Sequence, residues 1–99
     1  MENRLTFTAS LWRYSALKGS WYFVTLPKGD AEFLRWIEDK TVVGFGFIRV
    51  QAHIGNSEWE TTLFPSKEHG SYLLAVNAQV RKMEMIKEGD ELSVTLSLQ

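Results

Sequence analysis

Leu5, Phe7, Ala9 and Leu11 fall on one parity of the chain, and Thr6, Thr8, Ser10 and Trp12 on the other. A period of two with one apolar side is the pattern of a half-buried strand. Lys18-Gly19-Ser20 ends a loop, and Trp21 to Leu26 forms a second run of aromatic and β-branched residues. Pro27 ends it, because proline has no N–H for a sheet ladder. Asp30 is placed to cap a short helix from Ala31 to about Ile37, with Phe33 and Ile37 on one face and Glu38-Asp39-Lys40 closing it.

A long strand is expected from Val42 to Ile54. Ile48, Val50, Ala52 and Ile54 share one face, and Arg49, Gln51 and His53 the other. Gly55-Asn56 is a hairpin turn signal, Glu58 to Phe64 the returning strand, and Pro65 its stop. Ser71 to Val76 follows Gly70 as a further strand. Asn77 caps a second helix with Val80, Met83 and Ile86 on its buried face, and Leu92, Val94, Leu96 and Leu98 alternate through the last strand. The sum is about six strands and two short helices, an all-β fold.

The order strand, loop, strand, short helix, strand occurs twice. Phe7 to Trp12 aligns with Trp59 to Phe64, and Gly19-Ser20-Trp21 with Gly70-Ser71-Tyr72. Residues 5–54 and 57–98 are therefore candidate repeats of one domain spanning 1–99. One half leaves a sheet face and open edges exposed, whereas two halves can cover each other and close a barrel. If the barrel closes within the chain, a monomer suffices; if an edge stays open, a homodimer is expected.

Composition narrows the classes of function. The chain has 99 residues, 44% hydrophobic, enough for one core without staples. It has no cysteine, which removes disulfides, thiolate zinc sites and cysteine nucleophiles. No apolar run has the length of a membrane span, and Met1-Glu2-Asn3-Arg4-Leu5 has no signal-peptide core. A cytoplasmic location is the default expectation. Eleven basic and twelve acidic residues give a net charge of −1, without the basic excess of a domain built around phosphate neutralisation.

Several strings carry a family resemblance. They are Thr62-Leu63-Phe64-Pro65, Gly70-Ser71-Tyr72-Leu73-Leu74, Val80-Arg81-Lys82 and Gly89-Asp90, together with Ala9-x-Leu11-Trp12 and Phe23-Val24-x-Leu26-Pro27. Together they resemble a bacterial and archaeal family of small β-barrels, a domain of unknown function, some of whose members are joined to a YdeI/OmpD-associated segment. The resemblance covers nearly the whole chain. It implies a double-split β-barrel, a pseudo-barrel capped by short helices, a fold shared with the swapped-hairpin AbrB/MazE-like transcription factors. Val80 to Leu92 resembles their helix-turn-strand segment. The family often has Pro-x-Lys where this chain has Ala75-Val76-Asn77, and the missing lysine weakens any anion site carried over.

Candidate chemistry is sparse. His53 and His69 are not at ligand spacing, and both are expected as solvated surface side chains. Gly44-Phe45-Gly46 lacks the third glycine and following helix of a phosphate loop, and is expected to bend the barrel. No metal or cofactor is implied. Trp12, with parity opposite to the core set and beside Arg13 and Tyr14, is the most suggestive of the four tryptophans, since an exposed indole is a stacking shelf. The leading expectation is a non-enzymatic binding or interaction module for a small molecule or protein segment, with Trp12, Arg13, Phe64 and Tyr72 as ligand contacts. The alternative is a nucleic-acid-binding regulator using Lys28, Arg35, Arg81 and Lys82, basic groups at or near the two helices, as the AbrB/MazE resemblance implies.

Overall fold

A computed structural model of the chain describes residues 4–41 and 46–98, with the backbone alone for 36–41. Seven strands and two helices follow the order β1 (Arg4–Ser10), β2 (Trp12–Ala16), β3 (Gly19–Thr25), α1 (Lys28–Thr41), β4 (Ile48–Ile54), β5 (Ser57–Ser66), β6 (Ser71–Ala75), α2 (Ala78–Met83) and β7 (Glu91–Leu98). Every ladder is antiparallel, and the strands form one sheet in the order β1-β7-β4-β5-β6-β3-β2. The sheet curls into a half-barrel, so the all-β expectation holds. No helix among the described residues is long and apolar enough to cross a membrane.

The curl follows from how the sheet's edges are connected. The edge strands β1 and β2 are consecutive in the chain and separated by Leu11 alone. The continuous strand expected from Leu5 to Trp12 is broken there. The Leu11 N–H donates to Asp90 O at 2.9 Å, and its carbonyl accepts from Gly89 N at 2.8 Å. The other place where one strand serves both halves is β5, which pairs with β4 from Ser57 to Leu63 and with β6 from Phe64 to Ser66. The strand continues through Pro65 instead of stopping at it. Pro65 pairs with Tyr72 on β6 only, since the β4 ladder has already ended at Leu63, and a missing N–H costs nothing on an unladdered side.

Exchanging β1 with β5, β3 with β6 and β4 with β7 carries the β1·β7 ladder onto β5·β4, each of seven residue pairs. Two hydrogen bonds obey the same exchange: Leu26 N to Tyr72 O at 3.0 Å and Val76 N to Tyr22 O at 2.9 Å. The equivalence they define sets Tyr22, not Trp21, against Tyr72.

Alternation decides the core. Phe7, Leu11, Val24, Leu26, Val50, Ala52, Ile54, Leu63, Tyr72, Leu74, Val76, Leu92, Val94 and Leu96 all point inward and are buried. Ala31 and Leu34 of α1 and Val80 of α2 join them. Helix α1 begins at Lys28, so Asp30 lies in its first turn and is not its cap; its buried stripe is Ala31 and Leu34, while Phe33 is exposed. Asn77 does cap α2, its Oδ1 accepting from Val80 N at 2.9 Å. The helix is only six residues long and ends at Met83, which is 69% exposed, so Met83 leaves the expected buried face. Asp90 closes the turn before β7, its Oδ2 accepting from Lys87 N at 2.9 Å. The expectations for Val42 to Phe45, and for the side chain of Ile37, lie outside the described residues.

One contact straps α2 to the β4–β5 hairpin. The Glu84 carboxylate accepts from Ser57 Oγ at 2.6 Å and from Asn56 N at 3.2 Å. Gly55 has a φ of +59° and lies so close beneath Glu84 that a Cβ would overlap the carboxylate. Gly55→Ala is expected to lower stability by about 1–2 kcal/mol from the left-handed backbone alone, and further by displacing Glu84. Glu84→Ala should then cost less in the Gly55→Ala background than in the parent. Urea melts of the four proteins in the cycle measure this, and strict additivity would refute the strap.

Candidate functional site

The outward face of the sheet is divided into two kinds of surface. Over β1, β7, β4 and the first part of β5 it is polar, with Thr6, Thr8, Arg49, His53, Glu58, Glu60 and Ser93 exposed. Thr6 and Thr95 meet there through their hydroxyls at 3.2 Å. Over β2, β3, β6 and the end of β5 the same parity carries Trp12, Tyr14, Trp21, Phe23, Leu73 and Phe64. Strand register brings these together. Trp12 lies opposite Phe23 and Tyr14 opposite Trp21, Leu73 opposite Thr25, and Phe64 opposite Leu73. Directly opposed side chains in antiparallel strands are close neighbours on one face. Tyr14 is 52% exposed and Trp21 48% exposed.

Trp12 is the best-fixed member. Its Nε1–H donates to Thr25 Oγ1 at 2.9 Å. Its ring is tilted by 38° against Phe23 with centroids 5.2 Å apart, and it stacks on His69 at 4.9 Å and 29°. His69 is held in turn by the tight loop after β5. Ser66 Oγ lies 2.9 Å from His69 Nδ1 and accepts from the His69 backbone N–H at 3.3 Å. Arg35 of α1 reaches the end of the same loop, its Nη2 donating to Gly70 O at 3.4 Å. Both hydrogen bonds of Ser66 stay within three residues of it, so they close a turn and orient the ring.

These groups border a cleft of about 310 Å³ lined by Trp12, Tyr14, Phe23, Ser66, Glu68, His69 and Leu73. That is the small end of the roughly 300–1,000 Å³ usual for small-molecule sites. Its walls are mostly apolar, and Ser66, Glu68 and His69 of the 66–69 turn add polar groups to the Tyr14 hydroxyl.

Of the residues expected to contact a ligand, Trp12 lines the cleft. Phe64 shares its sheet face but lies beyond Leu73, in an edge-to-face contact with Phe47 at 5.7 Å and 87°. Arg13 does not reach it: its parity is opposite to that of Trp12, and its Nε donates to Ser15 Oγ at 2.9 Å. Tyr72 does not reach it either. It alternates inward with Leu74 and Val76, and at 2% exposure belongs to the core. His69 was expected as a solvated side chain, yet it is half-buried against Trp12. The spacing Ser66-x-x-His69 is the signal for that, since a hydroxyl three residues before a histidine can close the turn. Tyr14 and Phe23 were legible from Trp12 by parity and hairpin register. His53 stays exposed, with Nε2 2.8 Å from Gly55 O.

The basic residues do different work. The Arg81 guanidinium sits over the Tyr22 ring, 3.8 Å from its centroid, and Nη1 donates to Val76 O at 2.6 Å. Arg81 is thus a packing group between α2 and the sheet. Lys28, Arg35 and Lys82 are exposed.

No curated protein matches the chain. The family model of a domain of unknown function, DUF1905, matches residues 7–96. That span runs from β1 into β7 and takes in both halves of the curled sheet, the turn that holds His69 and every residue lining the cleft; the chain belongs to the DUF1905 family.

Proposed function

We propose that this domain is a non-enzymatic binding module whose ligand is a small, flat, largely apolar molecule laid in the Trp12 cleft. The observation that carries the reading is the fixing of Trp12 by Thr25, Phe23 and His69 on the outward face. A sheet that wanted only solubility would carry polar residues there, as its other half does. Leaving large aromatic surface in water forgoes about 25 cal/mol per Å² of burial, and clustered exposed apolar surface is a mark of interaction sites. A pre-set indole binds with little loss of side-chain freedom, the main cost that pre-organisation removes.

The acid, base and hydroxyl groups support binding over catalysis. Ser66 closes the turn that orients His69. Glu84 and Asp90 are acceptors for hairpin and turn groups. The nucleic-acid reading, by likeness to AbrB/MazE-like barrels, draws on Lys28, Arg35, Arg81 and Lys82, of which Arg81 has its guanidinium occupied by Tyr22 and Val76. It is the weaker of the two.

Titration with a library of neutral planar aromatics should quench or shift the intrinsic tryptophan emission of the parent protein. Tyr14→Ala, an exposed wall residue, should weaken binding about tenfold while keeping the parent urea midpoint. No response across the library would overturn the reading. Arg81→Ala is expected to lower stability by about 1–3 kcal/mol, through the lost hydrogen bond and ring contact. An unchanged melt would show that Arg81 is surface charge after all.

A further inference from the structure

The β2–β3 hairpin runs past the core. Residues 13–21 are exposed without a break, and Leu17 at its turn is wholly exposed. Strand β2 is an end strand of the sheet and, among the described residues, ladders with β3 alone. In an antiparallel pair alternate residues turn their N–H and C=O groups away from the partner. The outer side of β2 therefore presents a row of backbone donors and acceptors.

The two faces of this arm differ. One carries Trp12 and Tyr14, with Phe23 and Trp21 opposite them. The other carries Arg13 and Ser15, opposite Tyr22 and Ser20. Arg13 Nε donates to Ser15 Oγ, which leaves its two terminal nitrogens as donors, and Tyr22 carries the Arg81 guanidinium over its ring. Residues 3–29 include Arg4, Arg13, Lys18 and Lys28 and no acidic residue, in a chain of net charge −1. Among the described residues no carboxylate pairs with Arg13 or Lys18. An acidic residue, Glu68, is found on the aromatic side, in the cleft lining.

From the open edge and this charge we infer that β2 receives an extended, acidic polypeptide segment as an eighth strand of the sheet, with its apolar side chains on the Trp12–Tyr14 face and its carboxylates on the Arg13 face. A strand is the occupant because a polypeptide backbone matches a row of alternating donors and acceptors. Successive side chains of an added strand go to opposite faces, beside aromatic rings on one and a guanidinium on the other. Charge separates this occupant from a second copy of the chain. Two β2 edges side by side bring Arg13 and Lys18 of one copy near those of the other, and charge on an edge strand is a device against self-pairing. The same charge attracts a carboxylate, and arginine–carboxylate hydrogen bonds are among the strong ones. The cleft and the edge share Trp12 and Tyr14 but not Arg13, so a change at Arg13 tests the edge alone.

The test uses the full chain and two capped, labelled heptapeptides, one alternating glutamate with valine and one alternating lysine with valine. Fluorescence anisotropy should show the glutamate peptide binding at least about tenfold more tightly, the worth of one hydrogen bond to a charged group, with affinity falling as salt rises. Amide hydrogen exchange in β2 should slow when it is bound. The same peptide N-methylated at every residue keeps its side chains but loses its N–H donors, and should not bind. Arg13→Glu should reverse the preference to the lysine peptide while keeping the parent urea midpoint and the parent response to planar aromatics. Equal affinity for the two peptides, undiminished binding of the N-methylated one, or binding of neither overturns the proposal. A dimer of the chain alone whose β2 amides are shielded from exchange puts a second copy on the edge and overturns it too. So does tighter binding of phosphatidylserine vesicles, or of a mixed-sequence single-stranded oligonucleotide, than of the glutamate peptide.

Discussion

The fold depends on the constraint imposed at Leu11. The sheet begins and ends on strands that are neighbours in sequence, with one residue between them. A flat sheet would hold those two edges six strands apart. A one-residue connection forbids that, so the sheet has to curl until the end of β1 lies beside the start of β2. Leu11 then leaves both ladders, and its backbone groups are satisfied by the turn before β7, as buried backbone must be. Its side chain, 1% exposed, fills the space the curl encloses. Strand β5 makes the matching corner opposite, serving β4 and then β6.

That geometry is also what separates the two outward surfaces. Because β1–β2 and β5 are shared between the halves, each half has its own outer face, and the two faces can carry different chemistry without disturbing a common core. Ser71 shows how closely the halves are joined beneath: its buried hydroxyl donates to Leu26 O at 2.7 Å, tying the start of β6 to the segment leading into α1. The aromatic face sits on a frame of ladders, and beside it lies the 66–69 turn, closed by hydrogen bonds from His69 N to Ser66 Oγ and from Gly70 N to Lys67 O. Rigid walls with polar groups fixed by their own neighbours suit recognition of a defined shape.

Much of this was legible in the residues. Period-two alternation placed Val50, Ala52, Ile54, Leu92, Val94 and Leu96 in the core, because burial of one sheet face leaves a direct trace in the sequence. Asn77 declared itself as a helix cap by local chemistry. Other features were set by tertiary structure. The break at Leu11 depends on the turn before β7, far away in the chain. Pro65 could remain in β5 only because β4 ends early, which no local pattern records. The site was half legible for the same reason. Trp12 stood out by parity, and the same alternation turns Tyr72 inward with Leu74 and Val76. Whether His69 would meet solvent or an indole was decided by the curl that brings the 66–69 turn over β2.

The closure has a kinetic side. Strand β7 lies between β4 and β1, and its contact with β1 joins residues 89 positions apart, as between Thr6 and Thr95. Chain entropy opposes such a contact until intervening structure shortens the effective loop. The β2–β3 and β4–β5 hairpins, bridged by β6, provide that shortening, whereas the β1·β7 ladder has no local route to form. The β1·β7 ladder is therefore expected to form late in folding, and until it does the unpaired edges of β1 and β7 are open to pairing with other chains.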